Sequence, residues 1–468
     1  MKLVTQILTQ LMRMISIQFR KDEASAMAVW NARKCIFFFA LTFVTALSLS
    51  NLCSFTLHLS TNHLLDDTLD SWAIIEPQIS VKPPLYTQKE AFAACILVLD
   101  QNHRLTEWLA YHYFALPLRT VIIAYDPKAT GRATKLLDRW RDVIEFIEWD
   151  DDDYLPPNWA ADMARNNTDV RVYLHRQPIF MKECTKVAAS KNITRVLHSD
   201  VDEYLRINAE IVSSDLVNTS EPGHITKFLN QLEQINNTLF RQSNGYGRAC
   251  TVFWRYHYVP VLDEPNSTQV SYNPASASLL GKDSLHFDTL RFPHRAQYVT
   301  RLPNPKGLVN LKYITVPELE KVEMMVHFPL GRACRQTYPN ITLLIFNHYI
   351  GSYESFLYGV RNDPRYSLTR TKFEERVFGG GGMVVGQDSW RALPPLYEDT
   401  IVGWVPAFYE WQSKRVADYL LHDTGLRAVL PELIAQFPNI SNSYIDRQAE
   451  QVLLNELQRK HEQEAVVV

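Results

Sequence analysis

Three acids, Asp200, Asp202 and Glu203, lie close together in the stretch RVLHSDVDEYLR at positions 195–206. Carboxylates on alternate residues of an extended turn can converge on one divalent cation and leave its other positions to waters and phosphate oxygens. Mg²⁺ and Mn²⁺ both accept such an oxygen-rich set. An ion held there would neutralise a diphosphate and stabilise it as a leaving group, which is Lewis-acid chemistry. Asp202 is expected to be the first to touch the ion. An Asp-x-Asp triplet is also common in solvated loops, so its chemistry depends on where the fold puts it. Two-carboxylate glycoside hydrolysis needs acids placed across a sugar from each other, which neighbours on one turn do not supply.

Two other segments compete for attention. WDDDDY, at 149–154, packs four like charges ahead of Pro156 and Pro157 and reads as a solvated loop that could line the rim of a site. FGGGGMVVGQ, at 378–387, lacks both the G-x-G-x-x-G frame and the Lys-Ser/Thr ending of phosphate-cradling loops, so it reads as a mobile loop rather than a lid.

The elements that would position the acids alternate. Short apolar runs at 93–100, 121–126 and 143–150 suit strands covered on both faces. Helical spacing at 105–116 and an amphipathic stretch at 130–141 fall between them. This order predicts a parallel sheet with flanking helices. A further helix is expected at 178–191. RVLHSD then becomes the fourth strand and DVDEYL the turn beyond its carboxyl end, where open α/β sheets bind ligands. Later in the chain, 250–262, 308–316 and 322–330 read as strands, 343–360 as a helix and 444–463 as a charged terminal helix.

Composition sets the outer bounds. The chain has 468 residues, 46% hydrophobic, with a formal net charge of −3. That is too apolar for a disordered protein, and it lacks the basic blocks that track nucleic acid. Residues 35–57 carry no charge and could cross a hydrocarbon core of about 30 Å as a helix. Lys2, Arg13, Arg20, Lys21, Arg33 and Lys34 precede them, whereas Asp66, Asp67 and Asp70 follow. The positive-inside rule therefore predicts a cytosolic tail at 1–34, a transmembrane anchor at 35–57 and a proline-containing stem at 58–90. Sequons at Asn166, Asn192, Asn218, Asn236, Asn266, Asn340 and Asn439 all fall on the expected luminal side. Cys95, Cys184, Cys250 and Cys334 are too widely spaced for a zinc ribbon and are read as disulfides or as buried thiols.

Several segments together resemble glycosyltransferase family 92. NHRLTEWLAYHY at 102–113 is similar to the element after that family's first strand, and VIIAYD to its next strand with a terminal Tyr-Asp. RQPIFMKECTKVAASKNITRVLHSDVDEYL at 176–205 resembles its Gln, Cys and D-x-D-E-aromatic block. KGLVNLKYITV, VHFP and NHYIGSYESF are similar to its lysine strand, histidine and His-Tyr segment. The resemblance implies an α/β fold of GT-A type, a mostly parallel sheet with flanking helices, preceded by one transmembrane helix. The catalytic domain would span 91–360, with a C-terminal extension at 361–468 packed on it.

The resemblance also implies roles. Asp200 and Asp202 would grip a divalent metal, Mn²⁺ or Mg²⁺, or the donor ribose, with His327 or His348 as a further metal ligand. Asn102, Glu107, Asp126 and Asp200 would bind a nucleotide-sugar donor such as a UDP-sugar, and Lys306 or Lys312 would pair with its diphosphate. Trp108, Tyr111 and His112 match the family's first helix, but their three-to-four spacing is equally that of a core stripe. Family members resemble inverting enzymes, which need a general base; Asp283, Asp288 and Asp388 are the candidates. WRYHYVPVLDEPN, at 254–266, departs from the family pattern, leaving the acceptor side open. The expectation is a single-pass type II Golgi membrane hexosyltransferase acting on a glycan or glycoprotein acceptor. The alternative is a non-enzymatic luminal binder that keeps the fold.

Overall fold

The structure is a computed structural model that describes residues 80–82, 90–129, 131–159, 161, 172–239, 249–258, 274–295, 305–325, 327–331, 334–336, 342–351, 396–398 and 401–422. The chain divides into two compact units, 1–78 and 79–468, and every described residue belongs to the second. The expected anchor at 35–57, the glycine-rich loop, Asp388 and the helix expected at 444–463 lie outside the described residues. Among those described, no helix is long and apolar enough to cross a membrane.

The N-terminal half alternates as its apolar periods require. β1 (Phe92–Val98), α1 (Asn102–Ala115), β2 (Leu118–Tyr125), α2 (Thr134–Asp138), β3 (Glu145–Trp149), α3 (Asp151–Tyr154), α4 (Val172–Ser190) and β4 (Arg195–His198) follow in order. β5 (Glu203–Ile207), α5 (His224–Leu239), β6 (Cys250–Phe253), β7 (Arg255–Tyr258), α6 (Pro274–Leu280), α7 (Asp288–Arg291) and β8 (His294–Arg295) come next. β9 (Lys306–Asn310), α8 (Val316–Lys321), β10 (Arg335–Gln336), β11 (Leu344–Tyr349), β12 (Leu396–Tyr397), α9 (Trp404–Gln412) and α10 (Lys414–Leu421) complete the described elements.

Two sheets form. The larger has the order β10-β6-β9-β4-β1-β2-β3. Strands β1 to β4 are mutually parallel, and β9 runs antiparallel to both β4 and β6. The smaller has the order β12-β8-β7-β11-β5. Ala93 and Cys95 of β1 and Ile122 and Ala124 of β2 pack in one core cluster with Phe180, Cys184 and Ala188 of α4, which recur every fourth residue along one helix face. Cys95 is disulfide-bonded to Cys184, and Cys250 to Cys334. Helix α4 ends where Asn192, at φ 59°, takes the left-handed position that asparagine tolerates. Helix α1 is buried round almost its whole circumference, covered in part by Trp404, Phe408 and Trp411 of α9, which meet Tyr111, Tyr113 and Phe114.

Several expectations change. The expected helix at 343–360 begins instead as strand β11, because LIFNHY lies between β5 and β7 with all six residues buried. A strand covered on both faces is a continuous apolar run, which spacing alone does not distinguish from a buried helix. The run at 250–262 breaks at Trp254, and its two strands belong to different sheets. Among the described residues of 322–330, only the bridge Met325 to Phe328 forms. WDDDDY is not a loop: Asp150 and Asp153 form a reciprocal capping box that starts α3. The end of the expected stem docks on the domain, since the Lys82 carbonyl accepts from Tyr113 Oη and Gln412 Nε2 at 2.5 and 3.1 Å.

Candidate metal centre

The chain leaves the larger sheet at the end of β4 and enters the smaller one at β5, so residues 199–202 form the turn between sheets. Glu203 closes the turn by donating its N–H to the Asp200 carbonyl at 3.1 Å and accepting the Asp200 N–H on Oε2 at 2.9 Å. The acids therefore sit at the carboxyl end of a parallel strand, as the order of elements predicts. Asp100, Asp126 and Asp150 stand in the equivalent places beyond β1, β2 and β3.

Register sets the rest of the group. Strand β11 pairs antiparallel with β5, placing His348 opposite Glu203, and the Tyr349 N–H donates to the Asp202 carbonyl at 2.9 Å. Asp202 Oδ2 lies 3.5 Å from His348 Nε2. Asp202, Glu203 and His348 are all buried, each with a ligand atom within 4.8 Å of the others, and this group could hold a metal ion. The residues fit one chemically: two hard carboxylates and one imidazole suit a divalent cation of the manganese or magnesium type, and His348 Nδ1 is buried with no hydrogen-bond partner among the described residues.

Basic side chains compensate the acids. Arg104 Nη1 is 2.9 Å from Asp202 Oδ2, and its Nε is 3.4 Å from Asp288. Arg255 Nη1 is 2.7 Å from Glu203 Oε1. Lys306 Nζ is 2.7 Å from Asp200 and 3.4 Å from Glu203. Burial alone would lower the Lys306 ammonium, but Asp200 and Glu203 outweigh it and its pKa is raised. Asp200 shows the reverse: desolvation pulls it up, the Lys306 ammonium wins, and its pKa falls below the ordinary value. Asp200 is also the open end of the group, its side chain 45% exposed against 6% for Asp202.

The structure separates the two lysines. Strand β9 is antiparallel to β4, with Gly307 beside His198 and Asn310 beside Arg195. Lys306 thus reaches the metal turn, whereas Lys312 lies past the other end of the paired segment, 3.2 Å from Glu233. The histidines divide similarly. His327 Nδ1 faces the Pro305 carbonyl at 3.1 Å, and burial, reinforced by Lys306 and Arg255, pushes its pKa down to about 3. It is not among the three residues whose ligand atoms converge.

The candidates on α1 face inward. Glu107 accepts from Tyr204 Oη, the Asp288 N–H, the Thr289 N–H and Thr289 Oγ1 at 2.5–3.1 Å, so it anchors the start of α7 to β5. Burial and the Asp288 charge raise its pKa against those hydrogen bonds. Trp108 Nε1 donates to the Glu203 carbonyl at 3.1 Å, and Tyr111 Oη to the Leu205 carbonyl at 2.8 Å. His112 Nε2 accepts the Leu205 N–H, and burial lowers its pKa to about 3, so the ring is neutral. This stripe holds the backbone of the strand that carries Glu203. Asn102 is the first residue of α1 rather than a loop residue; its Nδ2 donates to the Gly131 carbonyl at 3.1 Å.

Among the other expected site residues, Asp126 pairs with Arg176 at 3.2 Å, and Arg176 also holds Asp151 at 2.7 Å. Arg176 thus clamps the carboxyl ends of β2 and β3 over the Trp159 ring; it opens the RQPIFMKEC stretch, the only sequence signal for it. Asp288 joins the metal group through Arg104, and burial raises its pKa. Asp283 is instead 2.6 Å from His422 Nδ1, within a cluster that includes Tyr409 and Asp418.

No protein-family model matches the chain, and no curated protein matches it.

Proposed function

We propose that this protein is a membrane-anchored glycosyltransferase of the secretory pathway, of GT-A type and resembling family 92, that transfers a sugar from a nucleotide-sugar donor to a glycan or glycoprotein with inversion. One observation carries the reading: a buried Asp202–Glu203–His348 group at the carboxyl end of a parallel strand, with the Lys306 ammonium at its open side. Asp202, Glu203 and His348 would hold Mn²⁺ or Mg²⁺, and the ion would supply neutralisation of the donor diphosphate. Lys306 adds a second positive charge toward the same phosphates when Asp200 yields it. Asp126, beyond β2 two strands away, and Arg176 of α4, which pairs with it, are suited to the ribose and base.

Asp288 is the general base this reading favours. Its carboxyl is linked to Asp202 through Arg104, and a raised pKa brings a carboxylate closer to the operating range of a base. Two disulfides support an oxidising compartment, as do the exposed sequon asparagines Asn192 and Asn218.

The test uses the full chain, purified in detergent, with a panel of nucleotide sugars and Mn²⁺. Hydrolysis or transfer from at least one donor is expected, and Asp202→Asn should abolish it while the melting transition persists. An unchanged rate in that variant would remove the metal turn from the reaction. Metal-dependent nucleotide binding with no turnover of any donor would favour the luminal binder.

A further inference from the structure

The metal group stands at the carboxyl end of the parallel strands, and a cavity of about 580 Å³ lies at their amino ends. Ala91 precedes β1, Arg119 and Thr120 lie at the start of β2, Glu145 opens β3, and the turn at 191–193 leads into β4; all of them line it. Ala91, Thr120 and Ile193 are buried, whereas Arg119, Glu145 and Lys191 are open to solvent in part or in full. The Glu145 carboxylate is held from two sides, by Lys191 Nζ at 2.6 Å and by Thr120 Oγ1, which donates to it at 3.4 Å. Small-molecule ligands occupy spaces of about 300–1,000 Å³ lined by apolar surface and a few polar groups, and this cavity has both.

Asn192 lines the same cavity and begins the sequon Asn192-Ile193-Thr194. It is exposed, at the left-handed corner that ends α4, so an acceptor amide stands at the edge of a ready-made space. A sugar attached to Asn192 Nδ2 would start inside that space. Such a tether makes docking intramolecular, with an effective concentration on the order of millimolar, so weak polar contacts suffice to hold it.

We propose that Asn192 carries an N-linked glycan whose first residue, N-acetylglucosamine, docks in this cavity and ties the turn at 191–193 to the amino ends of β1, β2 and β3. This rests on the secretory-pathway reading above. The host's transferase would join the glycan's anomeric carbon to Asn192 Nδ2, which loses a proton as the lipid-diphosphate carrier leaves. The sugar hydroxyls both donate and accept, matching the Glu145 carboxylate and the Arg119 and Lys191 cations. Ala91 and Ile193 offer apolar contact to the acetamide methyl. The glycan is then part of the fold's support on the side away from the metal group.

The experiment expresses the full chain in cultured animal cells, purifies it in detergent and reads occupancy of each sequon by peptide mass spectrometry. Asn192 should be occupied. Asn192→Gly removes the acceptor yet suits the left-handed backbone, so it isolates the glycan from the turn. Its thermal midpoint should fall by about 2 °C or more. Ser220→Ala, which removes the exposed sequon at Asn218, should leave the midpoint unchanged. Amide-cleaving glycosidase on the native wild type needs no variant and covers a failure of Asn192→Gly to fold: release should be slower at Asn192 than at Asn218, with the difference lost after denaturation. An unchanged midpoint in Asn192→Gly, or equal native release at the two sites, would overturn the docking. An unmodified Asn192 beside an occupied Asn218 would overturn the assignment alone. No glycan at any sequon would overturn it together with the luminal placement.

Discussion

Lys306 and Lys312 are six residues apart in one segment, yet their surroundings differ completely. Lys306 is 3% exposed and bound to two carboxylates, whereas Lys312 is paired only partly out of solvent. Removing a partner from a buried ion pair leaves an uncompensated charge, which costs about 3–5 kcal/mol, while an exposed pair contributes about 0–1 kcal/mol. On the proposed function, Lys306→Met should therefore raise the KM for the nucleotide-sugar donor by about tenfold or more, and it should lower the thermal midpoint. Lys312→Met should leave both within about twofold of wild type, as a surface pair requires. Equal effects of the two substitutions would contradict the register argument. Near the metal turn, Asp200, Asp202, Glu203 and Asp288 face Arg104, Arg255, Lys306 and Arg291, so the site is close to charge balance before any ion enters. A cation bound there is best compensated by an anionic ligand arriving with it.

Strands depend on close approaches that a residue-by-residue reading does not weigh. Gly307 is hydrogen-bonded between β4 and β6, and a Cβ at that position would meet Pro329 Cγ at 2.4 Å and Cδ at 2.5 Å. The glycine is what allows the 327–331 turn, with His327, to lie against the lysine strand. Neither neighbour can retreat, since β9 is held on both sides and Pro329 is buried. Gly307→Ala should cost about 1–3 kcal/mol through overpacking, read as a lower denaturant midpoint with an unchanged slope. A neutral substitution would show that the turn shifts freely. The same scale explains α1. Its Trp108, Tyr111 and His112 have the spacing of a core stripe and behave as one, but what they hold is the β5 backbone, so a packing stripe positions the metal group.

Across the whole molecule, the disulfides join elements far apart in sequence. Cys95–Cys184 spans 89 residues and ties β1 to α4, and Cys250–Cys334 spans 84. Closing loops of that length stabilises by about 2–4 kcal/mol. A Cys95→Ala/Cys184→Ala double variant should lose stability on that scale, measured by chemical denaturation, and the native chain should run faster on non-reducing than on reducing gels. Identical mobility with all six thiols free by mass would mean the pairs do not form, and would weaken the case for an oxidising compartment.

The order of β1 to β4, helices α1, α2 and α4 between them and the acids at the strand ends were legible in the sequence, because each rests on local periodicity and on residues a few positions apart; the short α3 was not, since WDDDDY read as a solvated loop. Most readings that failed or stayed open depended on distant partners. LIFNHY became a strand because β5 and β7 flank it. His348 rather than His327 joined Asp202 because β11 pairs with β5 in one register. Lys306 rather than Lys312 met the acids because β9 runs antiparallel to β4. RVLHSDVDEYLR alone determines that three carboxylates are close along the chain. The pairing of strands brought from far along the chain decides which side chains face them, since a shift of one residue in register would turn every partner to the other face.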